Sequence, residues 1–143
     1  MPALNFKVDW ADAVALGARL ANCEIASVAM VDLIPKRTTI RRPGRAHPGD
    51  TLYFYTGQRT KECRKLGEAL CLFITSIHIA RERRTGTPYI RLGAVRPGKE
   101  LLSGPALERF ARLDTAGRWD AQQFIAFFED TYSLPFDGEL IGW

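Results

Sequence analysis

The chain has 143 residues, 46% of them hydrophobic and 25% charged, with a formal net charge of +4 and a pI of about 9.2. These values fit a folded globular chain and exclude a low-complexity one. No apolar run approaches the roughly 18 residues of a membrane-spanning helix, so no membrane partner is expected, and the length predicts a single domain over residues 1–143.

The opening MPALNFKVDW lacks the basic start and apolar run of a secretory leader. Cys23, Cys63 and Cys71 form no CxxC pair, which predicts buried free thiols in a cytoplasmic protein. Leu4–Val8 alternates apolar and polar residues, as a short first strand does. Ala11–Asn22 reads as a helix, with Asp9 as its cap and Gly17 as a weak point in its middle. Glu24–Leu33 continues at helical spacing until Pro35 ends it. Arg37–Arg41 is β-branched and basic, a strand pattern, and the RPGRAHPGD stretch at 42–50 is a loop. Thr51–Thr56 is an aromatic strand, Gly57–Leu66 a polar loop. The run LCLFITSIHI inside Glu68–Arg81 predicts one buried strand.

Arg81, Glu82, Arg83 and Arg84 beside Thr-Gly-Thr-Pro read as a solvated hairpin tip. Tyr89–Leu92 and Lys99–Leu102 are short strands separated by Arg96-Pro97-Gly98. Ser103–Leu113 is a helix capped by Ser103, with Leu107, Phe110 and Ala111 facing inward. Asp120–Tyr132 carries the clearest helical stripe: Ala121, Phe124, Ile125, Phe128 and Tyr132. Phe136–Trp143 closes the chain as a strand. The expected class is α+β, a small mixed β-barrel of five to six strands with three to four flanking helices.

Charge is unevenly placed. Lys36 to Lys65 holds nine basic residues and two acids, +7 over 30 residues, while the other 113 residues carry eleven basic and fourteen acidic groups, −3. Phosphates would relieve that local repulsion. Tyr53, Phe54 and Tyr55 lie between the two basic clusters, and alternation puts the tyrosines on one face and Phe54 on the other. Tyrosines exposed there would stack on unpaired bases. The expected partner is therefore RNA, single-stranded, or a nucleoside or nucleotide. Arg37, Arg41, Arg42, Arg45, Tyr53, Arg59, Arg64 and Lys65 are its candidate contacts. His47 and His78 have no Cys, His or Glu at ligand spacing, and no phosphate-loop or dinucleotide fingerprint occurs. No resident cofactor or metal is expected, although RNA phosphates could carry a divalent ion. No motif specifies an oligomeric state.

Several segments together resemble a known family. They are LNFK, KRTTIRR at 36–42, Pro48-Gly49-Asp50, YTGQRTKECRKLGEALC, FARLDTAG and WDAQQFIAFFEDTYSLPFDGELIGW. In this order they resemble the ASCH domain of the PUA-like superfamily, in its small stand-alone bacterial and phage form. Where the family's pattern begins with glycine, this chain has Ile34, and Lys36 follows a proline. The resemblance implies RNA binding in a basic cleft, with ribonuclease activity in some members. Others are amidohydrolases on N4-acylated cytidines. The amidohydrolase pattern maps onto Lys36, Thr39 and Asp114, and the RNA-cleaving pattern onto Tyr55, Lys61 and Ser133. For Lys36 to serve Thr39 as a base, it must lie outside the regular strand, because residues three apart on a strand face opposite sides.

Overall fold

The computed structural model describes residues 2–24, 34–93 and 101–143. Residues 25–33 of the helical stretch expected over Glu24–Leu33, the Arg96-Pro97-Gly98 turn and residues 99–100 of the expected strand lie outside the described residues. The elements run β1 (Ala3–Phe6), α1 (Ala11–Ala21), β2 (Thr38–Arg41), β3 (Thr51–Thr56), β4 (Arg64–Leu70), β5 (Phe73–Arg81), β6 (Pro88–Leu92), β7 (Leu101–Leu102), α2 (Gly104–Asp114), α3 (Ala121–Tyr132) and β8 (Phe136–Gly142). The class is α+β. The expected barrel of five to six strands does not form. The described strands make two open sheets, of order β1-β3-β4 and β2-β8-β5-β6-β7.

The reason lies in the apolar run read as one strand. It breaks at Cys71-Leu72, sending β4 to one sheet and β5 to the other. No glycine or proline marks the break. Long-range backbone bonds hold it instead, from Cys71 N–H to the Asp50 carbonyl and from Leu72 N–H to that of Gly142.

The chain divides into two compact units, one of Met1–Thr39, Gly44–Ile74 and Ile141–Trp143, the other of Ile40–Pro43 and Thr75–Leu140. In the first, β1 pairs in parallel with β3, and β3 pairs antiparallel with β4 through a bulge at Phe54/Tyr55. Alternation turns Leu4, Phe6, Leu52, Phe54 and Ala69 inward against Val14 and Ala18 of α1. Trp143 joins this core, its ring 4.6 Å from that of Phe54. Gly17, at first sight a weakness in α1, is where the backbone of residue 36 crosses the helix. A Cβ there would lie 1.9 Å from the Lys36 carbonyl oxygen, and Lys36 N–H donates to the Ala13 carbonyl. Trp10, not Asp9, occupies the N-cap of α1, without a capping side chain.

In the second unit Ile77, Ile79 and Ile90 pack with Leu107 and Ala111 of α2 and with Phe124, Ile125 and Phe128 of α3. These are the stripes expected from sequence, with Phe110 edge-on to Phe124. Asp120 caps α3 through a reciprocal box with Gln123, whereas Ser103 stands at the N-cap of α2 but makes no side-chain capping bond. Among the cysteines only Cys71 is buried; Cys23 and Cys63 are exposed, so the expectation of buried thiols holds for one of three. No described helix is long and apolar enough to cross a membrane.

Candidate nucleic-acid interface

The burial pattern of β3 alternates strictly: Leu52, Phe54 and Thr56 are buried, Tyr53 and Tyr55 only half-buried. Since α1 packs on the face of Leu52 and Phe54, the tyrosines belong to the opposite face of the sheet. Register completes that face. Tyr53 stands beside Ala3 of β1 and Glu68 of β4, and Tyr55 beside Asn5 and, past the bulge, Lys65. The bulge matters: it shifts β4 by one residue, which puts Lys65 on the tyrosine side. Its ammonium sits 5.2 Å from the centre of the Tyr53 ring and donates to Glu68. That hydrogen bond is the main reason the Lys65 ammonium is held above its ordinary pKa, so it stays charged.

At the end of the face the β3–β4 turn is built rather than loose. Thr60 Oγ1 donates to the Gly57 carbonyl and accepts from Glu62 N–H. Asn5 Oδ1 accepts from Gln58 N–H, tying the turn to β1. Gly57 has φ 65° and Arg59 φ 67°. Only glycine adopts that left-handed region readily, so Arg59 is held at a cost of about 1 kcal/mol. Arg59, Lys61 and Arg64 are all exposed.

Arg45 is exposed in the loop before β3. Arg37 is turned inward: its Nε donates to the Trp143 carbonyl at 2.7 Å. Lys36 and Thr39 are buried, at 2% and 5% exposure. Lys36 precedes β2, outside the regular strand, with its ammonium 5.4 Å from the Trp10 ring centre. Arg41, Arg42, Asp114 and Ser133 belong to the second unit. Arg42 lies 5.2 Å from the ring centre of Tyr132, next to Ser133, which is exposed at the end of α3 with φ 64°. Asp114 is buried at the end of α2. Ten of the fourteen candidates thus fall in the first unit and four in the second.

No protein-family model, curated protein or solved structure matches the chain. Among the described residues, no group of three His, Cys, Asp or Glu is placed to hold a metal ion. His47 lies in a loop, its backbone N–H bonded to the Asp50 carboxylate.

The Arg81–Arg84 hairpin, which its sequence marks as a solvated tip, has a second feature beside it. The tip is a hairpin turn as expected, closed by Glu82 N–H to Thr87 O and Gly86 N–H to Glu82 O. It also borders a groove of ≈ 880 Å³, with His78, Tyr89, Arg91, Ser103 and Glu129 among its lining residues. The register of β5 against β6 puts His78 and Ala80 beside Arg91 and Tyr89, a pairing that no residue type announces in the sequence.

Proposed function

We propose that this chain is an ASCH-type RNA-binding domain that holds single-stranded RNA across the tyrosine face of β1–β3–β4, with ribonuclease chemistry at the adjoining turn. One observation carries this reading: Tyr53 and Tyr55 share an accessible sheet face with Lys65, and Arg59, Lys61 and Arg64 extend it. Rings on a sheet stack successive bases, each worth about 1–3 kcal/mol, and the cations neutralise the phosphates. For cleavage, Lys61 and Arg59 would stabilise the charge of a phosphorane, and the Tyr55 phenol would position or protonate the leaving oxygen. Glu62, exposed in the turn, would take the proton of the attacking ribose 2′-hydroxyl as the phosphodiester P–O bond to the leaving oxygen breaks.

The test is titration of a fluorescent single-stranded RNA at several salt concentrations, followed by a cleavage assay with and without chelator. Wild type should bind with a steep salt dependence, and Lys61→Ala should flatten the slope by about 0.7. Tyr53→Leu and Tyr55→Leu should each weaken binding roughly tenfold at constant slope. Binding that ignores all three substitutions would sink the assignment, and equal degradation by wild type and Tyr55→Phe would remove the nuclease part.

A second reading has its own support. Among the described residues, the buried polar or charged side chains are Lys36, Thr39, Thr56, Asp114 and Thr115. Lys36 and Thr39, both in the first unit, are the Lys and Thr of the amidohydrolase pattern, and Lys36 meets its geometric requirement by lying outside the strand. In that reaction Lys36, as the neutral amine, would accept the Thr39 hydroxyl proton as the oxygen attacks the amide carbonyl of an N4-acylated cytidine, then pass it to N4 as the C–N bond breaks and cytidine leaves; water hydrolyses the acyl-Thr39 ester and releases the carboxylic acid. Release of cytidine from N4-acetylcytidine, lost in Thr39→Val, would support it; no turnover by well-folded wild type would remove it.

A further inference from the structure

The groove beside the Arg81–Arg84 hairpin lies wholly within the second unit. Its ≈ 880 Å³ is in the range of small-molecule sites. His78 and Ala80 of β5 and Tyr89 and Arg91 of β6 share the sheet face opposite Ile77, Ile79 and Ile90. The lining includes four arginines and two glutamates, an excess of two positive charges.

The arginines are not equivalent. Arg81 is committed: its guanidinium meets both Glu129 oxygens, at 3.2 and 3.1 Å, and donates to the Gly86 carbonyl at 3.1 Å. That fork ties the hairpin to α3. Glu82 accepts from the Thr85 hydroxyl. Arg83 and Arg84 make no hydrogen bond or ion pair with another described residue, and both are exposed at the rim. Arg91 lies 5.3 Å from the Tyr89 ring centre. Ser103 brings the N-cap of α2 to the groove with its side chain outside any capping bond and no acidic residue in the first turn, so the positive end of that helix adds to the arginines. Leu101, Leu134 and Pro135 supply apolar lining beside Tyr89.

We propose that this groove binds a nucleoside monophosphate. Arg83 and Arg84 grip the phosphate, while the base lies against Tyr89 and Arg91. Two exposed guanidiniums suit a phosphate dianion, which accepts paired N–H donors. An aromatic ring bearing a cation beside apolar side chains suits a planar heterocycle. The proposal is independent of the sheet-face reading, since none of its residues belongs to that unit.

Calorimetric and ¹H–¹⁵N NMR titration of the whole chain with adenosine 5′-monophosphate, adenosine and inorganic phosphate tests it. AMP should bind saturably, at least about tenfold more tightly than either fragment, with shifts at the β5–β6 hairpin. The Arg83→Ala/Arg84→Ala double variant should lose roughly tenfold or more in AMP affinity. Tyr89→Leu should weaken AMP but not phosphate. No saturable AMP binding, phosphate binding as tightly as AMP, shifts confined to β1–β3–β4, or a normal affinity in the double variant would each overturn the proposal. The shift mapping uses wild-type protein, so it stands even if a variant misfolds.

Discussion

Arg59 is the residue at which backbone and charge pull in different directions. Its left-handed φ of 67° costs about 1 kcal/mol. Replacing it with glycine relieves that strain but raises the entropy lost on folding by about 0.5–1 kcal/mol. The two nearly cancel, so Arg59→Gly should shift the denaturation midpoint little while weakening RNA binding, measured by urea titration and by affinity in low salt. Cys71 makes a different prediction. Burial pushes its thiol above the ordinary value, Asp50 adds to this, and a backbone hydrogen bond with Phe73 partly opposes it. The native state thus holds the proton more tightly than the unfolded chain. This contribution is complete below the ordinary thiol pKa and is lost as pH rises through the native one. Stability measured on the alkaline side should fall with a slope that Cys71→Ala removes. A thiol reagent should label Cys23 and Cys63 quickly and Cys71 only on unfolding, because only Cys71 is buried.

At the scale of elements, α1 illustrates how a sequence rule can be locally right and globally incomplete. Glycine lowers helix propensity by about 1 kcal/mol, so Gly17→Ala should help an isolated helix. In the folded chain the added Cβ meets the Lys36 carbonyl, and backbone has no rotamer with which to yield. Overpacking of this kind costs about 1–3 kcal/mol or more, so the clash wins. Gly17→Ala should lower the melting temperature by several degrees, read by circular dichroism. The elements legible in sequence were those whose apolar residues repeat on one face: β3 with Leu52 and Phe54, α3 with Phe124, Ile125 and Phe128. The tyrosine face was legible for the same reason. The β4–β5 reversal was not, because Cys71 and Leu72 carry no turn chemistry and are held by Asp50 and Gly142, far away in sequence. Lys65 reached the tyrosine face only through the bulge, which no residue type announced. The arginine groove stayed hidden because it needs the register of β5 against β6 together with residues from α3 and the start of α2.

For the molecule as a whole, neither unit is a continuous stretch of chain. The core of the first needs Ile141 and Trp143 from the end of the sequence, and that of the second needs Ile40, contributed from between two parts of the first. A fragment of residues 75–140 lacks Ile40 and with it β2, an edge strand of the five-stranded sheet. Such a fragment should give a poorly dispersed NMR spectrum, and adding a peptide of residues 36–43 should not restore full stability. The charge excess of Lys36–Lys65 divides along the same lines, since Arg41 and Arg42 are in the second unit and the other seven basic residues in the first. Salt dependence of RNA binding should therefore respond to Lys61 and Arg64 far more than to Arg42.

The three tryptophans follow this division too. Trp10 and Trp143 belong to the first unit, Trp143 buried against Phe6 and Phe54, and Trp119 belongs to the second, packed 5.2 Å from Phe127. Their emission consequently labels the chain without any attached dye. A protein carrying Trp119→Phe glows only from the first unit, and one carrying Trp10→Phe and Trp143→Phe only from the second. Two such proteins, melted side by side in a fluorimeter, would separate the light of one core from that of the other.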